Sequence, residues 1–95
     1  MTEEFMAYLD EHPEYFYLIR DKQLMALIRE LSKGAKKIED IARDLKMDEK
    51  KLEQVLDDLE EKKVVTRMQT KSGETYVLDF AGQKILDLLE RAKED

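Results

Sequence analysis

Lys36, Lys37, Lys50, Lys51, Gln54, Arg67 and Lys71 are the side chains of this 95-residue chain whose types and spacing point to chemistry on another molecule. The ammonium and guanidinium groups can each pair with a phosphate oxygen, and the Gln54 amide carries the donor–acceptor pair that matches N6 and N7 of adenine. That chemistry suits recognition of duplex nucleic acid rather than bond-making. Bond-making candidates fail on their surroundings. His12 is the sole histidine and stands beside Pro13 with no serine or second histidine nearby, which suits a turn or capping role. Asp57-Asp58 and Glu60-Glu61 offer hard oxygens without the loop and interleaved glycine of a calcium site. Ser32 and Ser72 lack a base partner in sequence, and three glycines in all build no phosphate cradle. No catalytic residue, metal ligand set, cofactor or enzymatic activity is expected.

Regular elements must hold the recognition residues in place. The apolar spacing 0, 3, 4, 7 occurs four times: Leu24, Leu27, Ile28, Leu31; Ile38, Ile41, Ala42, Leu45; Leu52, Val55, Leu56, Leu59; and Ile85, Leu88, Leu89, Ala92. Each set lies on one face of a helix and offers a stripe to a core. Gly34 marks the end of the first of these helices, Asp48 is placed to cap the third and Asp79 the fourth. Val64 to Thr70 and Thr75 to Leu78 are rich in β-branched and aromatic residues, and Lys71-Ser72-Gly73-Glu74 between them is a turn signal, so a hairpin is predicted. Ahead of these, Phe5 to Leu9 predicts a short helix, and Pro13 to Lys33 either one long helix or two that break near Asp21.

Charge complicates the reading. The net charge is −6, which argues against a general polyanion binder. Residues 48 to 63, which hold the third repeat, carry Asp48, Glu49, Glu53, Asp57, Asp58, Glu60 and Glu61 against Lys50, Lys51, Lys62 and Lys63. Residues 33 to 46 are net positive, through Lys33, Lys36, Lys37, Arg43 and Lys46. Advancing by about 100° per residue leaves Lys50, Gln54, Asp57 and Glu61 as the outward stripe of the third helix, cationic and amidic at its start and acidic at its end. Two functions remain open: a reader of DNA that uses the start of this helix, or a module that engages a basic protein partner through its acidic face.

Ile38-Glu39-Asp40-Ile41-Ala42-Arg43-Asp44-Leu45, then Leu52-Glu53-Gln54-Val55-Leu56-Asp57-Asp58-Leu59-Glu60, then Tyr76-Val77-Leu78-Asp79-Phe80-Ala81-Gly82-Gln83-Lys84-Ile85-Leu86 resembles the winged helix-turn-helix transcriptional regulators of the MarR, PadR and ArsR type. The resemblance spans residues 24 to 92. It implies a mainly α fold with a small β-hairpin (α+β), and a homodimer built from N- and C-terminal helices that binds duplex DNA with helix 49–62 and wing 64–79. Glu53 and Asp57 stand where such proteins usually have Ser, Thr or Arg, and Lys63 where a glycine commonly precedes the strand. If Lys63 is left-handed, the cost is ~1 kcal/mol.

Phe5, Tyr8, Tyr15, Phe16 and Tyr17 crowd the first 17 residues, more apolar surface than a short leading segment needs. Residues 1–20 are therefore expected to form an N-terminal helical arm beside a winged-helix domain over 21–95. Phe5, Tyr8, Leu9, Tyr15 and Phe16 with Ile85 and Leu89 are the candidate dimer interface; covering the chain's own core is the alternative use of the aromatics. The longest apolar run is Tyr15 to Ile19, so no membrane span is expected, and the lack of cysteine fits a reducing cytoplasm. A 42% charged content without asparagine leans toward a thermophilic source.

Overall fold

In the computed structural model, which describes residues 2–94 and side chains through Ala92, the helical spacings resolve into helices and one hairpin. Helix α1 (Glu3–Glu11) opens on Thr2, whose hydroxyl accepts the Phe5 N–H at 3.2 Å. A short 3-10 turn at Pro13–Tyr15 leads into α2 (Phe16–Arg20). Proline suits that first position because it has no N–H to leave unpaired. The chain breaks at Asp21, whose extended backbone lets its carboxylate accept from Gln23 and Leu24 N–H at 2.9 and 3.1 Å and so start α3 (Lys22–Ser32). Of the two expectations for Pro13 to Lys33, the broken helix is the one formed. A carboxylate that satisfies two backbone donors competes with helix continuation.

Helices α4 (Ile38–Leu45) and α5 (Glu49–Glu61) are joined by Lys46-Met47-Asp48. Lys46 takes a left-handed conformation at φ 55°, the Met47 N–H reaches back to the Ala42 carbonyl at 2.9 Å, and the Asp48 side chain caps α5 through the Lys51 N–H at 3.1 Å. Strands β1 (Val65–Thr70) and β2 (Gly73–Leu78) then pair antiparallel, with Val65 opposite Leu78 and Thr70 opposite Gly73. The second strand begins earlier than the expected Thr75, because only Lys71 and Ser72 are needed for the turn. Backbone bonds between Lys36 and Tyr76 in both directions (3.1 and 2.8 Å) add a one-residue third rung beside β2. Helix α6 (Phe80–Glu94) closes the chain. This is the α+β winged helix-turn-helix expected from the motifs, with additional helices at its N-terminal end and α6 at its C-terminal end.

The segment 1–20 packs into the same core as the rest. Phe5, Leu9 and Leu18 have no exposed surface and join Leu27, Ile28, Ile41, Leu52, Leu56, Leu59, Val64, Ile85 and Leu88 in one cluster. Burial of each such side chain is worth about 2 kcal/mol. At the junction of hairpin and α6, the Val64 carbonyl accepts the Asp79 N–H at 2.9 Å and the Lys63 carbonyl the Ala81 N–H at 3.2 Å. Gly82 allows that approach: a Cβ there would lie 2.3 Å from the Val64 oxygen. Its place in the Tyr76 to Leu86 run thus has a steric reason.

Candidate nucleic-acid interface

Helix α5 buries Leu52, Leu56 and Leu59 and turns Lys50, Lys51, Glu53, Gln54, Asp57 and Glu61 outward. Its crest is flanked by two clefts. One, of about 250 Å³, separates α5 from the wing and is lined by Lys37, Glu39, Glu53, Ser72, Gly73 and Glu74, among others. The other, of about 440 Å³, lies toward α2 and α3 and is lined by Tyr17, Gln23, Lys51, Gln54, Val55 and Asp58, among others. The start of α5 therefore presents Lys50, Lys51 and Gln54, with Lys37 at the head of α4 across the first cleft and Lys71 next to Ser72 at the wing tip. Among the described residues none of these five side chains makes a hydrogen bond or ion pair. The Asp48 cap fixes the end of the helix whose dipole favours anions.

Lys36 and Arg67 are placed differently from the other expected contacts. The Lys36 ammonium pairs with Glu30 at 2.8 Å and Asp44 at 3.5 Å, its side chain only 26% exposed, and the Glu30 pairing raises its pKa. Its neighbour Tyr76 holds its backbone as well, so it ties the α3–α4 connection to the wing. Arg67 sits among three carboxylates, Asp57 at 2.6 Å, Glu74 at 3.0 Å and Glu60 at 3.7 Å, with its guanidinium 5.5 Å above the Tyr76 ring. Neither cation is an unengaged phosphate ligand.

The same contacts engage three of the six acids on α5. Asp57 and Glu60 hold Arg67. Asp58 accepts from the Lys62 ammonium and from the Tyr17 hydroxyl, each at 2.9 Å, and the Lys62 ammonium also donates to the Tyr17 oxygen at 2.9 Å. The Lys62 hydrogen bond holds the Asp58 carboxyl below the usual carboxylate range, and the bond to Tyr17 raises the Lys62 ammonium. The Tyr15 hydroxyl donates to the Lys62 carbonyl at 2.9 Å, so the N-terminal segment braces the far end of α5. Glu49, Glu53 and Glu61 form no ion pair among the described residues. In the acidic half of the outward stripe, Asp57 is therefore paired within the protein and Glu61 faces solvent. Sequence spacing could have suggested Asp58 with Lys62, four residues apart on one helix. Asp57 with Arg67 crosses from helix to wing and has no such local signal.

The dimer candidates divide by burial. Phe5, Leu9 and Ile85 are fully covered and Tyr15 is 6% exposed, all within the chain's own core, where α1 packs against α6 and the 3-10 turn. Tyr8, Phe16 and Leu89 are half-buried and border solvent. Met6 and Phe80, which sequence spacing did not single out, are exposed by 41% and 68%.

The sequence matches the family described as HxlR-like helix-turn-helix over residues 18–94. No curated protein matches it in sequence. Among solved structures it is similar to the reduced form of the transcriptional regulator YodB from B. subtilis, at 20% identity and a TM-score of 0.76, covering 88% of this chain and 86% of that one. It is also similar to NolR from Sinorhizobium fredii, at 15% identity and a TM-score of 0.73, covering 97% and 93%. A third is the homodimeric winged helix-turn-helix DNA-binding domain of Mb0332 from Mycobacterium bovis, a possible ArsR-family regulator, at 15% identity and a TM-score of 0.75, covering 99% and 88%. At these identities the likeness is one of fold.

Proposed function

The chain belongs to the HxlR-like helix-turn-helix family, and from that premise we propose that it is a transcriptional regulator that binds duplex DNA as a homodimer and acts by occupying its operator. The observation that carries this reading is the division of α5: its first two turns offer Lys50, Lys51 and Gln54 unengaged, while Asp57, Asp58 and Glu60 are paired with Arg67 and Lys62, three carboxylates to two cations. In this docking geometry the start of the recognition helix meets base edges. Gln54 reads adenine, Glu53 accepts from cytosine N4 across the cleft facing the wing, and Lys37 and Lys71 take phosphates on either side.

Two recognition helices that engage together bind half-sites about 34 Å apart. The homodimeric state of the Mb0332 domain supports pairing for this chain, and the solvent-bordering Tyr8, Phe16 and Leu89 with exposed Met6 supply apolar surface for it. A strict monomer in sedimentation at tens of micromolar removes the dimer. The site of action is the cytoplasm; no helix among the described residues is long and apolar enough to cross a membrane.

The alternative, a basic protein held by the acidic face, is the weaker reading because Asp57 and Asp58 of that face are already paired internally, leaving Glu53 and Glu61 for a partner. Replacing Lys50, Lys51 and Gln54 together with alanine tests the main one. All three are exposed, so the melting temperature stays within a few degrees while sequence-specific binding is lost. Unchanged specific binding refutes the assignment.

A further inference from the structure

Arg67 lies on the first strand of the wing, and the acids around it come from two elements: Glu74 from the neighbouring strand, Asp57 and Glu60 from α5. The distal wing has little else to hold it to the body. Beyond Val65 every residue of β1 except the half-buried Thr66 is exposed, and so are Lys71 and Ser72 at the turn. The last inward anchors on β2 before the tip are Tyr76 and Thr75. Tyr76 is packed beneath the Arg67 guanidinium and is fixed from its other side by Lys36.

We propose that Arg67 is a positioning residue: its ion pairs to Asp57 and Glu60 clamp the wing against the recognition helix and set where the wing tip meets DNA. This deepens the DNA-binding reading and rests on it. The acid at position 57, out of place on a DNA-reading helix, then has a use. It holds the wing that carries Lys71 in the geometry for binding, so that this alignment is not left to be selected at the moment of association. A wing that is aligned only part of the time weakens apparent affinity by that fraction. Exposed ion-pair networks of this kind shift such an equilibrium modestly, so the effect on affinity is about three- to fivefold.

The sign of one substitution separates the clamp from simple electrostatics. Asp57→Asn removes a negative charge from the helix that faces DNA. Charge alone makes binding tighter; the clamp makes it weaker by about three- to fivefold. Arg67→Ala weakens binding to a similar degree, the double variant is no worse than either single one, and Arg67→Lys recovers part of the loss. A phosphate contact at Arg67 would instead lower the salt slope of binding by about 0.9 per protomer, whereas the clamp leaves it unchanged. The free protein gives a readout that needs no DNA: NMR order parameters of residues 69 to 75 fall in Asp57→Asn and in Arg67→Ala, with melting temperatures near that of the parent. Tighter binding by Asp57→Asn, a reduced salt slope in Arg67→Ala, or an unchanged wing in the free variants overturns the clamp. A parent protein that binds no DNA while its variants loosen the wing retains the clamp as a property of the fold and overturns its link to DNA binding.

Discussion

Replacing Gly82 with alanine sets two effects of opposite sign against each other. Gly82 lies in the first turn of α6, where alanine is ordinarily the better helix former by about 1 kcal/mol. At this site the new Cβ would fall 2.3 Å from the Val64 carbonyl oxygen and 3.0 Å from Leu78 Cδ2, whereas real Cβ contacts essentially never come under 3.0 Å. The turn must retreat by about 0.7 Å or more, and the obstacle is backbone, which cannot rotate away. The same carbonyl accepts the Asp79 N–H, and the preceding one accepts the Ala81 N–H, so retreat stretches both bonds that seat α6 on the hairpin. Overpacking costs about 1–3 kcal/mol and a buried hydrogen bond left poorly made about 1–2 kcal/mol. Steric cost outweighs propensity, leaving a net destabilisation of about 2–3 kcal/mol, or a fall in melting temperature of roughly 10–20 °C for a domain of this size. Thermal unfolding followed by far-ultraviolet circular dichroism measures it. A melting temperature equal to or above the parent's would show that the approach of α6 to Val64 is not as close as described.

Lys63 is left-handed at φ 66°, in the place where related sequences were expected to carry glycine, so Lys63→Gly relieves strain and stabilises by up to ~1 kcal/mol after glycine's own entropic cost, which chemical denaturation resolves. Asp79 accepts from the Thr66 hydroxyl and the Phe80 N–H, each at 2.7 Å, and these hold its carboxyl below the usual carboxylate range. A depressed folded pKa contributes stability that is complete above the unfolded value, about 3.9, and is lost as pH falls through the folded value. Asp79→Ala is therefore less stable than the parent by ~1 kcal/mol at pH 7, and the two converge toward pH 2; a difference that persists undiminished in acid contradicts this source of the stabilisation.

Much of the fold was legible in the sequence because its causes are local. The four apolar repeats place Leu24, Leu27, Ile28, Leu31, Ile41, Leu52, Leu56, Leu59, Ile85 and Leu88 in the core, and Asp48 caps α5 where its spacing says it should. What escaped was tertiary. The aromatics at the N-terminus read as surplus surface, yet Phe5, Leu9 and Tyr15 are absorbed by the protomer, because the helices beside them leave a face for them to fill. Arg67 and Lys36 counted as phosphate ligands by type and position, and only the folded chain shows the carboxylates of α3, α4, α5 and β2 around them. A charge tally along the sequence cannot tell an acid that faces a ligand from one that has found its own cation. On α5 that distinction leaves Lys50 and Lys51 unengaged beside the equally unengaged Glu49 and Glu53, while Asp57, Asp58 and Glu60 are held by Arg67 and Lys62.

Whether α5 and the wing read DNA is decided by selection of binding sites from random duplex DNA, followed by affinity measurement on the enriched site across salt concentrations. The expected outcome is an inverted repeat with half-site centres about one helical turn apart. The slope of log K against log salt is then no steeper than about −7, the value for Lys37, Lys50, Lys51 and Lys71 on both protomers. A slope near −11 would mean that Lys36 and Arg67 leave their carboxylates to join the phosphate contacts, contradicting the internal pairing. No enriched sequence at either low or moderate salt would contradict DNA recognition itself.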